Sequence, residues 1–65
     1  MKLFIQASKP VSKNIEFRGE AILLLKKFNL NPETVLIIKN GELVNHDEIL
    51  ENKDEVKILS VVSGG

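Results

Sequence analysis

A helical repeat of apolar residues occurs once in this chain, and the sequence on both sides of it alternates. Ala21, Leu24, Leu25 and Phe28 fall at i, i+3, i+4 and i+7, the spacing of one helix face. The spacing predicts a helix over Glu20–Phe28. Lys26 and Lys27 occupy its last turn, where cations suit the helix dipole, Asn29 is the expected stop, and Pro32 prevents continuation. Lys2 to Ala7 reads differently. Leu3, Ile5 and Ala7 lie on one side and Lys2, Phe4 and Gln6 on the other, which is the period of a strand. Lys13 to Arg18 alternates again around Ile15 and Phe17. One amphipathic helix must bury its stripe against a partner layer, and here only strands are available to build it.

The strands on the C-terminal side complete that layer. Ser8-Lys9-Pro10 breaks the first strand, so the first two runs pair most economically as a hairpin. Thr34 to Lys39 is apolar on both faces, as a central strand is. Asn40-Gly41 is a tight-turn signal, and Glu42-Leu43-Val44 returns as a short strand. Asn45 to Glu51 is expected to form a short helical turn that packs Ile49 and Leu50 beneath the sheet. Glu55 to Val62 is the last strand. The expected architecture is α+β: a β-grasp, ubiquitin-like mixed sheet with one main helix across one face and the first and last strands parallel at its centre. Residues 1–62 form the domain. Residues 63–65 form a flexible C-terminal tail, since Ser63-Gly64-Gly65 carries no packing side chain.

Such a pattern fixes the expected core as Leu3, Ile5, Ile15, Phe17, Ala21, Leu24, Leu25, Phe28, Leu36, Ile38, Leu43, Val56 and Ile58. The opposite face then receives Phe4, Val35, Ile37, Leu59 and Val61. In β-grasp order these five adjoin and lead to the tail. Contiguous exposed apolar surface marks a binding site, so they are the candidate partner-docking patch.

Size and composition exclude several functions. A chain of 65 residues has no room for both a core and a pocket of roughly 300–1,000 Å³, which argues against an autonomous enzyme. There is no cysteine, hence no disulfide, thiolate metal site or Cys nucleophile. Nine basic residues balance nine acidic ones without a basic stripe, so a direct nucleic-acid footprint is missing. No leader or membrane-length apolar run is present, and a cytoplasmic monomer is expected. His46 is the only histidine, and a metal site needs several ligands. Asp47, Glu48 and Glu51 form an acidic cluster that reads as solvated surface or as a dock for a basic partner. The scattered lysines read as solvating charges, any of which could accept an isopeptide bond.

From Leu30 onward the chain resembles a known family. The residues that carry the likeness are Leu30-Asn31-Pro32-Glu33-Thr34-Val35, Asn40-Gly41-Glu42-Leu43-Val44, Asp54-Glu55-Val56 and Val61-Val62-Ser63-Gly64-Gly65. They are similar to the ThiS/MoaD family of ubiquitin-like sulfur carriers, and within it to carriers for tRNA 2-thiouridine synthesis and to small archaeal modifiers. One departure is Lys53, where the family usually has Gly. The resemblance implies a carrier acted on by an adenylating (ThiF/MoeB-like) enzyme, not an enzyme itself. That partner uses ATP and magnesium to adenylate the terminal carboxylate, and the chain binds no cofactor. Sulfur then displaces AMP to leave a thiocarboxylate, which a sulfur-accepting enzyme such as a tRNA thiolase consumes. Gly65 is the reacting or conjugating residue, and Gly64 and Ser63 thread the partner's channel. The physical reason is that glycine lacks Cβ and reaches conformations closed to other residues. The same chemistry serves two alternatives, conjugation of Gly65 to lysines and sulfur delivery for thiamine thiazole or molybdopterin.

Overall fold

The computed structural model describes residues 1–6 and 10–61. In chain order they form β1 (Lys2–Gln6), β2 (Val11–Asn14), β3 (Gly19–Glu20), helix α1 (Ala21–Lys27), a 3-10 turn (Pro32–Thr34), β4 (Val35–Lys39), β5 (Glu42–Val44), β6 (Ile49–Leu50) and β7 (Glu55–Ser60). Five strands make one sheet in the order β2-β1-β7-β4-β5, and β3 pairs with β6 apart from it. β1 and β7 are parallel, while the other pairs of the main sheet are antiparallel. This is the β-grasp, with α1 on one face.

The core follows from the central registers. Leu3 pairs with Val56 and Ile5 with Ile58 across the parallel seam, and Ile37 pairs with Ile58 from β4. All five are buried, together with Met1, Ala21, Leu24, Leu25 and Leu50. The helix is only two turns long, so its ends need partners. Its first amides are taken from outside. Ala21 N donates to Glu48 O at 2.9 Å and Ile22 N to His46 O at 2.8 Å, which satisfies donors a helix start leaves orphaned. At the other end Asn29 adopts φ 57°, and Leu30 N donates back to Leu25 O at 2.8 Å. That is a left-handed C-terminal stop with Asn in the usual glycine position. Asn40 and Gly41 have φ 51° and 85°, the paired positive values a two-residue hairpin turn requires.

Several boundaries differ from the sequence reading. The second strand is Val11–Asn14, and Ile15 and Phe17 pack against the core from the loop that follows. Asn45–Glu51 is a turn leading into β6, whose pairing with β3 (Gly19 with Leu50, Glu20 with Ile49) buries Leu50 and leaves Ile49 half exposed. The largest correction is in β4, shifted by one residue from the expected face. Ile37 is 4% exposed and points into the core, whereas Leu36 is 41% exposed. Val35 also packs against the core, so Val35 and Ile37 leave the candidate docking patch. Leu36, Ile38 and Leu43 leave the expected core; Leu43, paired with Ile38, is 67% exposed. A strand apolar on both sides carries no polarity to fix its register, and a one-residue slip exchanges the faces.

Leu25→Ala removes a side chain with no exposed surface and should cost about 2–5 kcal/mol. The whole domain holds only on the order of 5 kcal/mol. Urea denaturation should show a strongly lowered midpoint; an unchanged midpoint would contradict this packing.

Candidate functional site: the outer sheet face and the C-terminal strand

β7 is the middle strand of the sheet, and its backbone stays tied beyond its last paired residue. Val61 N donates to Thr34 O at 2.9 Å. The 3-10 turn supplies that carbonyl and is itself capped by Asn31, whose Oδ1 accepts from Glu33 N at 2.9 Å. The strand is therefore paired on both sides up to Leu59 and held on the β4 side up to Val61. Ser63, Gly64 and Gly65, the expected threading and reacting residues, lie outside the described residues, as does the expected boundary of the tail.

Strand alternation places Phe4, Leu36, Ile38, Leu43, Leu59 and Val61 on the face away from α1. The registers make them neighbours. Leu36 pairs with Leu59, Ile38 with Leu43, and Lys57 stands between Phe4 on β1 and Ile38 on β4. Leu36, Leu43 and Val61 are the most exposed of the group. Three of the five expected patch residues, Phe4, Leu59 and Val61, lie on this face. Leu36, Ile38 and Leu43 are the members sequence reasoning missed. The two-residue Asn40-Gly41 turn sets Lys39 opposite Glu42 and therefore Ile38 opposite Leu43, so the two share a face, but the turn does not select which face.

The opposite end of the sheet is held by charge. Asp54 is buried, and its Oδ1 accepts from Asn40 Nδ2 at 3.0 Å while Oδ2 accepts from Glu51 N at 2.8 Å. Asn40 completes the clip, since Glu55 N donates to its Oδ1 at 2.9 Å. Lys39 Nζ lies 3.9 Å from Asp54 Oδ2, 3.1 Å from Glu48 Oε2, and donates to Ile49 O at 3.0 Å. Burial pushes the Asp54 carboxyl up, but the Asn40 and Glu51 hydrogen bonds and the Lys39 charge outweigh it, and the net shift is downward. The Glu48 hydrogen bond raises Lys39 against the opposing effect of desolvation, helped by the charge of Asp54.

The match to a family model decides the affiliation: the model of the ThiS family covers residues 10–65. The chain belongs to the ThiS family. Among its relatives is the sulfur carrier protein TtuB of Thermus thermophilus, 34% identical over 58 residues that span 86% of this chain and 89% of that protein. An Archaeoglobus fulgidus protein, described only as uncharacterized, is 40% identical over 42 residues, 65% of this chain and 61% of the relative.

Against the ThiS-family pattern, Lys53 in place of Gly is accommodated without strain. Among the described residues only Asn29 and Asn40 are non-glycine positions with positive φ, and the turn closes through Asp54 N donating to Glu51 O at 3.0 Å. The acidic cluster divides between internal partners and solvent: Glu48 holds Lys39, Glu51 lies 3.6 Å from Lys53, and Asp47 is exposed. His46 is exposed, and no group of three or more metal-ligating side chains occurs among the described residues. No helix there is long and apolar enough to cross a membrane.

Because the Asp54 carboxylate titrates below its ordinary value near 3.8 in the fold, its contribution to stability is complete above that value. It is lost as pH falls toward the lower folded value. Asp54→Ala leaves the Glu51 amide and Asn40 Nδ2 without their acceptor and should cost on the order of 1–3 kcal/mol at neutral pH. Thermal melts between pH 7 and 2 should show a smaller acid-induced drop for Asp54→Ala than for the parent chain. Parallel acid limbs would contradict this role for Asp54.

Proposed function

We propose that this ThiS-family chain is a sulfur carrier whose terminal Gly65 carboxylate is adenylated and converted to a thiocarboxylate. What supports the reading is the sequence Val62-Ser63-Gly64-Gly65 following a central strand that is anchored through Val61. The likeness to TtuB supports delivery of the sulfur to tRNA 2-thiouridine synthesis.

The chemistry explains the sequence of the end. A carboxylate is a poor electrophile until one oxygen becomes a leaving group. Transfer of AMP from ATP, with magnesium holding the phosphates, supplies that leaving group in the partner's site. A persulfide-class sulfur donor then attacks the carbonyl and AMP departs. A second thiol then attacks the donor sulfur of the acyl disulfide, forming a disulfide with it and releasing the thioacid. A thioacid is ionised at neutral pH, so its sulfur remains nucleophilic, by the logic that governs cysteine thiolates. The domain itself contributes a rigid base and a face to grip. Phe4, Leu36, Ile38, Leu43, Leu59 and Val61 form the surface on which the adenylating enzyme docks while it takes the tail.

Deleting Gly65 moves the carboxylate back by at most roughly 3.3–3.6 Å of extended chain. Misplacement of about 1 Å can already reduce a rate on the order of a hundredfold. ATP–pyrophosphate exchange with the cognate adenylating enzyme should therefore collapse for the deletion variant while its melting curve stays unshifted. Full exchange by that variant would overturn the carrier reading. On the docking face, Leu36→Asp and Leu59→Asp should each weaken association on the order of tenfold or more with the fold retained. Val35→Asp and Ile37→Asp should unfold the domain instead, because those side chains belong to the core. Unchanged binding by folded Leu36→Asp and Leu59→Asp variants would remove the face from the interface.

A further inference from the structure

Lys57 occupies an unusual place on the docking face. Its cross-strand neighbours are Phe4 on one side and Ile38 on the other, and Leu59 follows it on the same face of β7. The ion pairs among the described residues involve Lys39 with Glu48 and Asp54, and Lys53 with Glu51; Lys57 is in none of them. Glu55 lies two positions before Lys57 on the same face of β7, with no ion pair between them among the described residues. Lys2 and Glu55 stand opposite one another in the parallel register, so their charges offset, and the face is left cationic at Lys57. Beside Lys57 the surface is indented. A groove of about 420 Å³ is lined by Ile38, Asn40, Gly41, Glu55 and Lys57. Gly41 has nothing within 4 Å of the position a Cβ would take, so an incoming side chain can approach the hairpin closely.

We propose that Lys57 is a specificity residue of this face, and that the adenylating partner presents an Asp or Glu carboxylate to its ammonium within an apolar surround. The inference rests on the carrier reading above and adds the partner's chemistry to it. An apolar face alone is indifferent to which apolar surface it meets. A cation ringed by Phe4, Ile38 and Leu59 penalises any partner that covers it without an anion, because covering an unpaired charge is costly. Lys57 is exposed, and a lysine can lay its stem along apolar neighbours while its ammonium stays in water, so the free protein tolerates it. Discrimination appears only on docking.

The test compares Lys57→Glu and Lys57→Gln with Lys26→Glu, an exposed lysine on α1 that changes net charge equally away from the face. Each variant is checked by a melting curve. Association with the cognate adenylating enzyme and pyrophosphate-exchange kinetics are then measured at low and moderate ionic strength. Lys57→Glu should raise Kd and KM on the order of tenfold or more at low salt, with kcat little changed. Lys57→Gln should raise them less and flatten the salt dependence, since screening acts on the charge it removes. Lys26→Glu should behave as the parent chain. If Lys57→Glu matches Lys26→Glu, or if the Lys57→Gln salt dependence equals the parent's, this inference fails while the carrier reading stands. Absence of exchange with the parent chain would instead fail the carrier reading itself.

Discussion

The parallel seam between β1 and β7 is the contact on which the rest of this structure depends. Parallel neighbours cannot be joined by a tight turn and need a crossover connection. Here that connection runs through α1, β4 and β5. Its helix is brought back across the sheet, where Ala21, Leu24 and Leu25 cover Leu3, Ile5, Val56 and Ile58. The seam therefore builds the core and also puts the C-terminal strand in the middle of the sheet. β7 has a neighbour on each side, and the last described residue is still hydrogen-bonded to Thr34.

The two ends of the sheet are held by different physics. Toward the C-terminal end, the 3-10 turn and the apolar outer residues surround the exit of β7. Toward the other end, Asp54 gathers Asn40, the Glu51 amide and Lys39 into one polar clip that ties the β4–β5 hairpin to the start of β7. That clip is buried charge and therefore depends on every partner being present. It sits beside the hairpin in which Ile38 pairs with Leu43.

The parts of the fold legible in the sequence were those with unambiguous periodicity or turn chemistry. The helix face, the alternation of β1 and β7, the Asn40-Gly41 turn and the Asn29 stop all follow from local rules and all occur as expected. β4 was different because Val35-Leu36-Ile37-Ile38 offers an apolar residue to either side, and only the pairing with β7 and β5 selects the face. Ile15 and Phe17 mimicked a strand because they reach the core at alternate positions, although the backbone there is a loop. Leu50 was expected to be buried, but β6, a two-residue pairing with β3, is too short to leave a pattern. In the candidate site, the expected reacting end, Gly64-Gly65, lies outside the described residues. The docking face was legible in outline through Phe4, Leu59 and Val61, and its other half inherited the error in β4. The role of Asp54 was not read, since the Glu51 amide is a local partner but Asn40 and Lys39 come from the distant β4–β5 hairpin.

Sulfur loading at the C-terminus is the claim from which the rest of the functional account follows, and the mass of the protein tests it most directly. Intact mass spectrometry of the chain purified from the cells that make it, under conditions that preserve thioacids, should show a population in which one oxygen has been exchanged for sulfur. Fragmentation should place the exchange on Gly65. A sulfur-for-oxygen population that is absent, even when the adenylating partner and a sulfur source are supplied with ATP, would contradict the account.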